Sequence, residues 1–123
     1  MITGRVTSER EAIIAVEVRA LGGRPETLEA VLDTGFTEFL ALPVAAVTRL
    51  RLPYRGSQHV TLADGGETEL ATYRAIVEWH GHALPVSVLA IESGALVGMA
   101  LLHGSRLTLD AVENGPLQIE PLS

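Results

Sequence analysis

In the stretch EAIIAVEVRA, residues 11–20, Ile14, Val16 and Val18 fall on alternate positions, with Ile13, Ala15 and Glu17 between them. A period of two sends successive side chains to opposite faces of an extended chain, so this is a strand with one apolar face. The run breaks at Gly22-Gly23-Arg24-Pro25-Glu26 and resumes as TLEAVLD, which predicts a hairpin. Asp64-Gly65-Gly66 and Gly81 interrupt β-branched and aromatic runs between Tyr54 and Ile91. They predict a long hairpin with its tip at Asp64 to Gly66 and a second hairpin around Gly81. SRLTLDAVENGPLQIEPL reads as strand, Asn114-Gly115 turn, strand. Helix is expected in two short places: VAAVTRL behind Pro43, and GALVGMALLHG, with Gly104 as its carboxyl cap. The sum is an all-β, barrel-like or sandwich-like domain with one or two short helices.

Composition narrows what such a domain does. At 123 residues and 47% hydrophobic, the chain suffices for one core and so for a single domain over 1–123. The formal charge is -6 and every one of the nine basic residues is arginine, scattered without a stripe, so no nucleic acid partner is expected. There is no cysteine, which excludes disulfides, thiolate metal sites and thiol nucleophiles. His80 and His82 flank Gly81 without a third ligand nearby in sequence, which favours a solvated turn over a metal site; His59 and His103 are isolated surface residues. No Gly-x-Ser-x-Gly elbow is present. Arg5, Glu9, Arg10 and Glu11 precede the first apolar run, and Glu17 and Arg19 interrupt it. Neither a signal peptide nor a membrane span fits that pattern, so a cytoplasmic protein without a membrane partner is expected.

The chemistry concentrates in EAVLDTGFTEFLALP, residues 29–43. An apolar run, Ala30-Val31-Leu32, delivers Asp33, Thr34 and Gly35 to the end of a strand. Glycine permits a tight turn and close approach to the carboxylate, threonine offers a hydroxyl to anchor the loop, and the apolar run fixes its base. A strand-end turn would use the same residues for local hydrogen bonding. As a catalyst, one aspartate is poor, because activating water takes a base and an acid; two carboxylates sharing one proton supply both. Asp64 precedes two glycines and Asp110 precedes Ala111, so no second Asp-Thr-Gly exists in the chain. The matching carboxylate would then come from a second copy on a two-fold axis.

Three features in order resemble the single-domain, retroviral-type aspartic proteases and their small bacterial relatives. They are Asp33-Thr34-Gly35 after an apolar strand, the glycine-tipped hairpin at Asp64-Gly65-Gly66, and Leu96-Val97-Gly98 followed by Met99-Ala100-Leu101-Leu102. The resemblance implies a retropepsin-like half-barrel that forms a homodimer and hydrolyses peptide bonds in a peptide or protein substrate, with no metal or organic cofactor. It implies Asp33, Thr34 and Gly35 as catalytic residues, with Thr34 bracing the paired loops. Phe36, Thr37, Leu96 and the flap residues Asp64, Gly65 and Gly66 would bind substrate. Leu96, Val97, Met99, Leu101 and Leu102 are expected in the core whether or not the chain is such a protease, with Leu96 alone also facing substrate, and LTLDA and LQIEP are expected to pair across the dimer interface. Two positions depart from the family: Phe36, where Ala or Ser is usual, and Ala100, where Asp or Asn is common. These departures favour an alternative, an inactive relative serving as a dimerisation or peptide-binding module. A further alternative is an unrelated small β-barrel binding domain.

Overall fold

The computed structural model describes residues 1–62 and 64–123. The alternating segment forms β2 (Ala12–Arg19), with Ile14, Val16 and Val18 all buried, and it pairs antiparallel with β1 (Ile2–Val6) and β3 (Glu26–Leu32). β4 (Leu40–Pro43) runs directly into α1 (Val44–Leu50). Pro43 suits that junction, since it sits at φ -58° and ψ 145° and has no N–H to leave unpaired at the helix start. The helix ends where Arg51 turns left-handed and its N–H donates to the Thr48 carbonyl.

β5 (Tyr54–Thr61), β6 (Glu67–Trp79) and β7 (His82–Ile91) form the two expected hairpins. At the first tip, the Leu62 N–H donates to Gly66, the Gly65 N–H donates to Leu62, and Gly65 takes φ +86°. That is a turn closed by a left-handed residue, the place where glycine is least strained. At the second, His80 and Gly81 are both left-handed between paired Trp79 and His82, as a two-residue hairpin of type I′ requires.

GALVGMALLHG is not one helix. It divides at Gly98 into β8 (Leu96–Val97) and the single turn α2 (Met99–Leu102), followed by left-handed Gly104. The chain closes with β9 (Ser105–Leu109) and β10 (Pro116–Pro121). Asn114-Gly115 is the end of a longer loop that is tied to β1 through Asn114 N–H to Val6 and Val6 N–H to Gly115.

The strands follow the order β5-β6-β7-β4-β8-β3-β2-β1-β10-β9, and β6 also pairs with β2 at Val18 and Val77. That contact closes β2, β3, β8, β4, β7 and β6 into a ring. Inside it Val18, Leu40, Leu42, Val77, Val88 and Val97 are fully buried, and among the described residues the core holds no buried polar or charged residue. One expectation fails in part. LQIEP is not free to pair with another chain, because β10 is hydrogen-bonded between β1 and β9, whereas LTLDA begins in β9, an end strand whose outer edge is unpaired among the described residues. Among the described residues no helix is long and apolar enough to cross a membrane.

Candidate active site

The Asp33 loop is built where three strands meet. β8 lies between β3, to which it is parallel with Val31 opposite Leu96, and β4, to which it is antiparallel with Leu40 opposite Val97. The chain leaves β3 at Leu32 and re-enters the sheet at Leu40, so residues 33–39 must arch across the end of β8. Backbone bonds fix the arch. The Asp33 N–H donates to Val97 at 2.9 Å, Gly98 N–H to Phe39 at 3.1 Å, Met99 N–H to Phe36 at 2.7 Å and Ala100 N–H to Glu38 at 3.3 Å. Within it, the Gly35 N–H donates to Asp33 Oδ1 at 3.0 Å and the Phe36 N–H to the Asp33 carbonyl at 3.1 Å. The Asp33 side chain is half-buried and held through one oxygen, while Oδ2 has no partner among the described residues. The carboxylate is thereby oriented with an oxygen available to a water or a second acid.

Two glycines serve this loop differently. Gly35 has no left-handed φ, and a Cβ there would stand 3.3 Å from Asp33 Oδ1, a tight but adjustable contact. Gly98 leaves no such room, since a Cβ would overlap the Glu38 carbonyl oxygen and lie 2.6 Å from Phe36 Cδ2. The closest approach in the site is therefore between the Asp33 arch and Gly98. The two departures at Phe36 and Ala100 fit into the same contact. The Phe36 side chain is half-buried with a ring carbon close to Gly98, and the N–H groups of residues 98–100 donate to the carbonyls of Phe39, Phe36 and Glu38 in the arch.

Leu96 is half-buried beside Val31, so Asp33, Thr34, Gly35, Phe36, Thr37 and Leu96 lie around one crossing; Thr34 and Thr37 are exposed. The Thr34 hydroxyl has no partner among the described residues. Asp64, Gly65 and Gly66 are exposed at the end of the β5–β6 hairpin, where the Gly66 N–H donates to Asp64 Oδ1 at 2.8 Å. No hydrogen bond among the described residues joins this turn to the Asp33 arch. The hairpin is two-faced: Gln58, Val60, Thr68 and Leu70 are half-buried, while Ser57, His59, Glu67 and Glu69 are exposed, with His59 Nδ1 3.3 Å from Glu69 Oε1.

Two expectations are corrected. Met99 is not a core residue; it is 44% exposed, whereas Val97, Leu101 and Leu102 are buried. A helix of one turn has a narrow inner face, and Leu101 and Leu102 occupy it. His80 is not solvated either. Its Nε2 stands 2.8 Å from Ser105 Oγ at the start of β9, its ring lies 5.3 Å from that of Trp79, and its Nδ1 is buried without a partner. Burial, then the positive amino terminus and His82, hold the His80 imidazole below its ordinary value of 6.5. At the far end of β3, Arg49 grips Glu26 with two bonds of 2.7 and 2.6 Å and keeps that carboxyl below its usual range.

No protein-family model matches the chain, and no curated protein matches it. Among solved structures it is similar to the EIAV protease complexed with the inhibitor HBY-793, with a TM-score of 0.63 and 18% identity over 77% of this chain and 88% of that one. At that identity the likeness is one of fold. The chain accordingly has a retropepsin-like, all-β fold with two short helices.

Proposed function

We propose that the chain is the protomer of a homodimeric aspartic endopeptidase, one domain over residues 1–123 that acts on peptide or protein substrates in the cytoplasm. The observation that carries this is the Asp33 carboxylate, half-buried and oriented by Gly35 N–H in an arch pinned to Val97 and Gly98. The retropepsin-like fold around that arch supports it.

In this mechanism two Asp33 carboxylates face each other across a two-fold axis and share one proton, because like charges in contact do not both ionise. The ionised partner takes a proton from a bound water, and the resulting oxygen attacks the scissile carbonyl carbon. The protonated partner donates to the carbonyl oxygen, stabilising the charge that develops there. Proton transfer to the leaving nitrogen then lets the C–N bond break. Thr34 braces the paired loops, Gly35 lies against the substrate backbone, and Phe36, Thr37 and Leu96 line the bound peptide. The Asp64 to Gly66 tip closes over it, with Val60 and Leu70 on the inner face of the hairpin. No metal or organic cofactor takes part.

Digestion of a peptide library by the native chain and by Asp33→Asn tests the proposal. Cleavage is expected from the native chain and none from the variant, with circular dichroism unchanged. Equal cleavage by both would refute it. The second reading, an inactive dimerisation or peptide-binding module, draws on Phe36 and Ala100; native protein that binds library peptides and cleaves none would favour it.

A further inference from the structure

Three of the nine arginines, scattered along the sequence, are gathered by the fold into one place. Arg24 comes from the β2–β3 connection, Arg49 from the last turn of α1 and Arg51 from its carboxyl cap. With Pro25, Glu26 and Leu50 they line a cleft of about 680 Å³. Basic residues are favoured where a helix ends, because the last carbonyls leave negative charge there, and that accounts for Arg49 and Arg51. It does not account for Arg24, which arrives from a different segment.

The cleft already holds one carboxylate. Arg49 donates to both oxygens of Glu26, at 2.7 and 2.6 Å, so that pair is closed. Arg24 and Arg51 are exposed and have no ion-pair partner among the described residues. Two guanidinium groups are thus left for an outside anion, on a chain whose formal charge is -6. Beside them is an apolar group without cover. Leu21 is 84% exposed, more than any other large apolar side chain among the described residues. It belongs to a turn closed by the Gly23 N–H donating to the Ala20 carbonyl at 2.8 Å, with Gly22 left-handed at φ +74°, and Ala20 and Gly23 both line the cleft. The closed turn holds Leu21 at the rim.

We propose that this cleft binds an acidic peptide segment, with carboxylates on Arg24 and Arg51 and an apolar side chain of the peptide against Leu21. Three observations select this occupant. A planar guanidinium matches a carboxylate two bonds at a time, as Arg49 and Glu26 do within the same cleft. The cleft carries three guanidinium groups against one carboxylate, so an acidic peptide repelled by the net charge of the chain is attracted here. Leucine beside the charges suits a polypeptide, and two free arginines are too few to neutralise a run of phosphates. The cleft lies at the start of β3 and Asp33 follows its end, about 20 Å away along an extended strand. Binding here therefore does not depend on the role of Asp33, and its failure leaves the proposed function untouched.

Fluorescence anisotropy of a short labelled peptide of alternating glutamate and leucine tests this, in the Asp33→Asn background so that no peptide is cut. Saturable binding is expected, weakened by added salt and lost when glutamine replaces glutamate in the peptide. Arg24→Gln, Arg51→Asn and Leu21→Ser should each weaken it about fivefold. Asparagine suits the left-handed position of residue 51, and melting curves check that every variant folds. Arg106→Gln removes the same charge from exposed β9, outside the cleft, and should leave binding unchanged. Equal binding of the glutamine peptide, an equal loss with Arg106→Gln, or no loss with the cleft variants would overturn the proposal. So would an acidic peptide that fails to bind, including the case in which tripolyphosphate or an oligonucleotide binds in its place.

Discussion

Replacing Gly98 by alanine is the sharpest test of how the Asp33 arch is held. Gly98 has ordinary extended torsions, φ -102° and ψ 178°, so the change introduces no backbone strain of its own. What it introduces is a methyl group overlapping the Glu38 carbonyl oxygen and lying 2.6 Å from Phe36 Cδ2 and 2.7 Å from the Phe36 carbonyl oxygen. Overpacking of this kind costs about 1–3 kcal/mol, and here two of the three neighbours are backbone atoms that no rotamer change can move. Relief means withdrawing the arch, which breaks the Gly98–Phe39 and Met99–Phe36 bonds, worth about 1 kcal/mol each. A loss of about 4 kcal/mol is expected, a large part of the ~5–15 kcal/mol that holds a domain together. Urea unfolding at a single protein concentration measures it, with Gly94→Ala as control, since a Cβ at Gly94 meets nothing within 4 Å. Gly98→Ala within about 1 kcal/mol of Gly94→Ala would refute the close-approach account of this glycine.

Two further outcomes follow from the hairpin turns. Because the folded chain resists protonating His80 while the unfolded chain takes up the proton near 6.5, His80 contributes stability above that pH and loses it as the pH falls below. His80→Asn keeps a residue tolerant of the left-handed position, so melting curves against pH should fall less steeply below 6.5 than those of the native chain; parallel curves would contradict this. Gly65→Ala places a side chain at φ +86° in an exposed turn, which should cost about 1 kcal/mol of global stability yet slow peptide turnover several-fold. Unchanged turnover would remove the Asp64 to Gly66 tip from the mechanism.

Much of this architecture is legible in the sequence because it is local. The alternation of Ile14, Val16 and Val18 reports a face, Gly22-Gly23 and Gly65-Gly66 report turns, and Pro43 reports the start of α1. What escaped depends on which distant segment arrives alongside. LQIEP alternates as an edge strand would, but its neighbours β1 and β9 are set by long-range pairing. His80 sits in a turn that looks solvated until Ser105, 25 residues later, packs over it. Met99 reads as apolar core because a one-turn helix is too short for its period to reveal the outer face. For the site, Asp33-Thr34-Gly35 is plain in the sequence, whereas the steric role of Gly98 is visible only once the arch is seen to cross β8.

Mixing native and Asp33→Asn chains tests the central claim most directly. At constant total chain, above the dimer dissociation constant and after subunits have exchanged, a site that needs both carboxylates is active only in native–native pairs. Peptidase activity should then fall as the square of the native fraction, to about one quarter of the native value in an equal mixture. A linear fall, to about one half, would mean that each Asp33 works alone and would contradict the shared-proton pair.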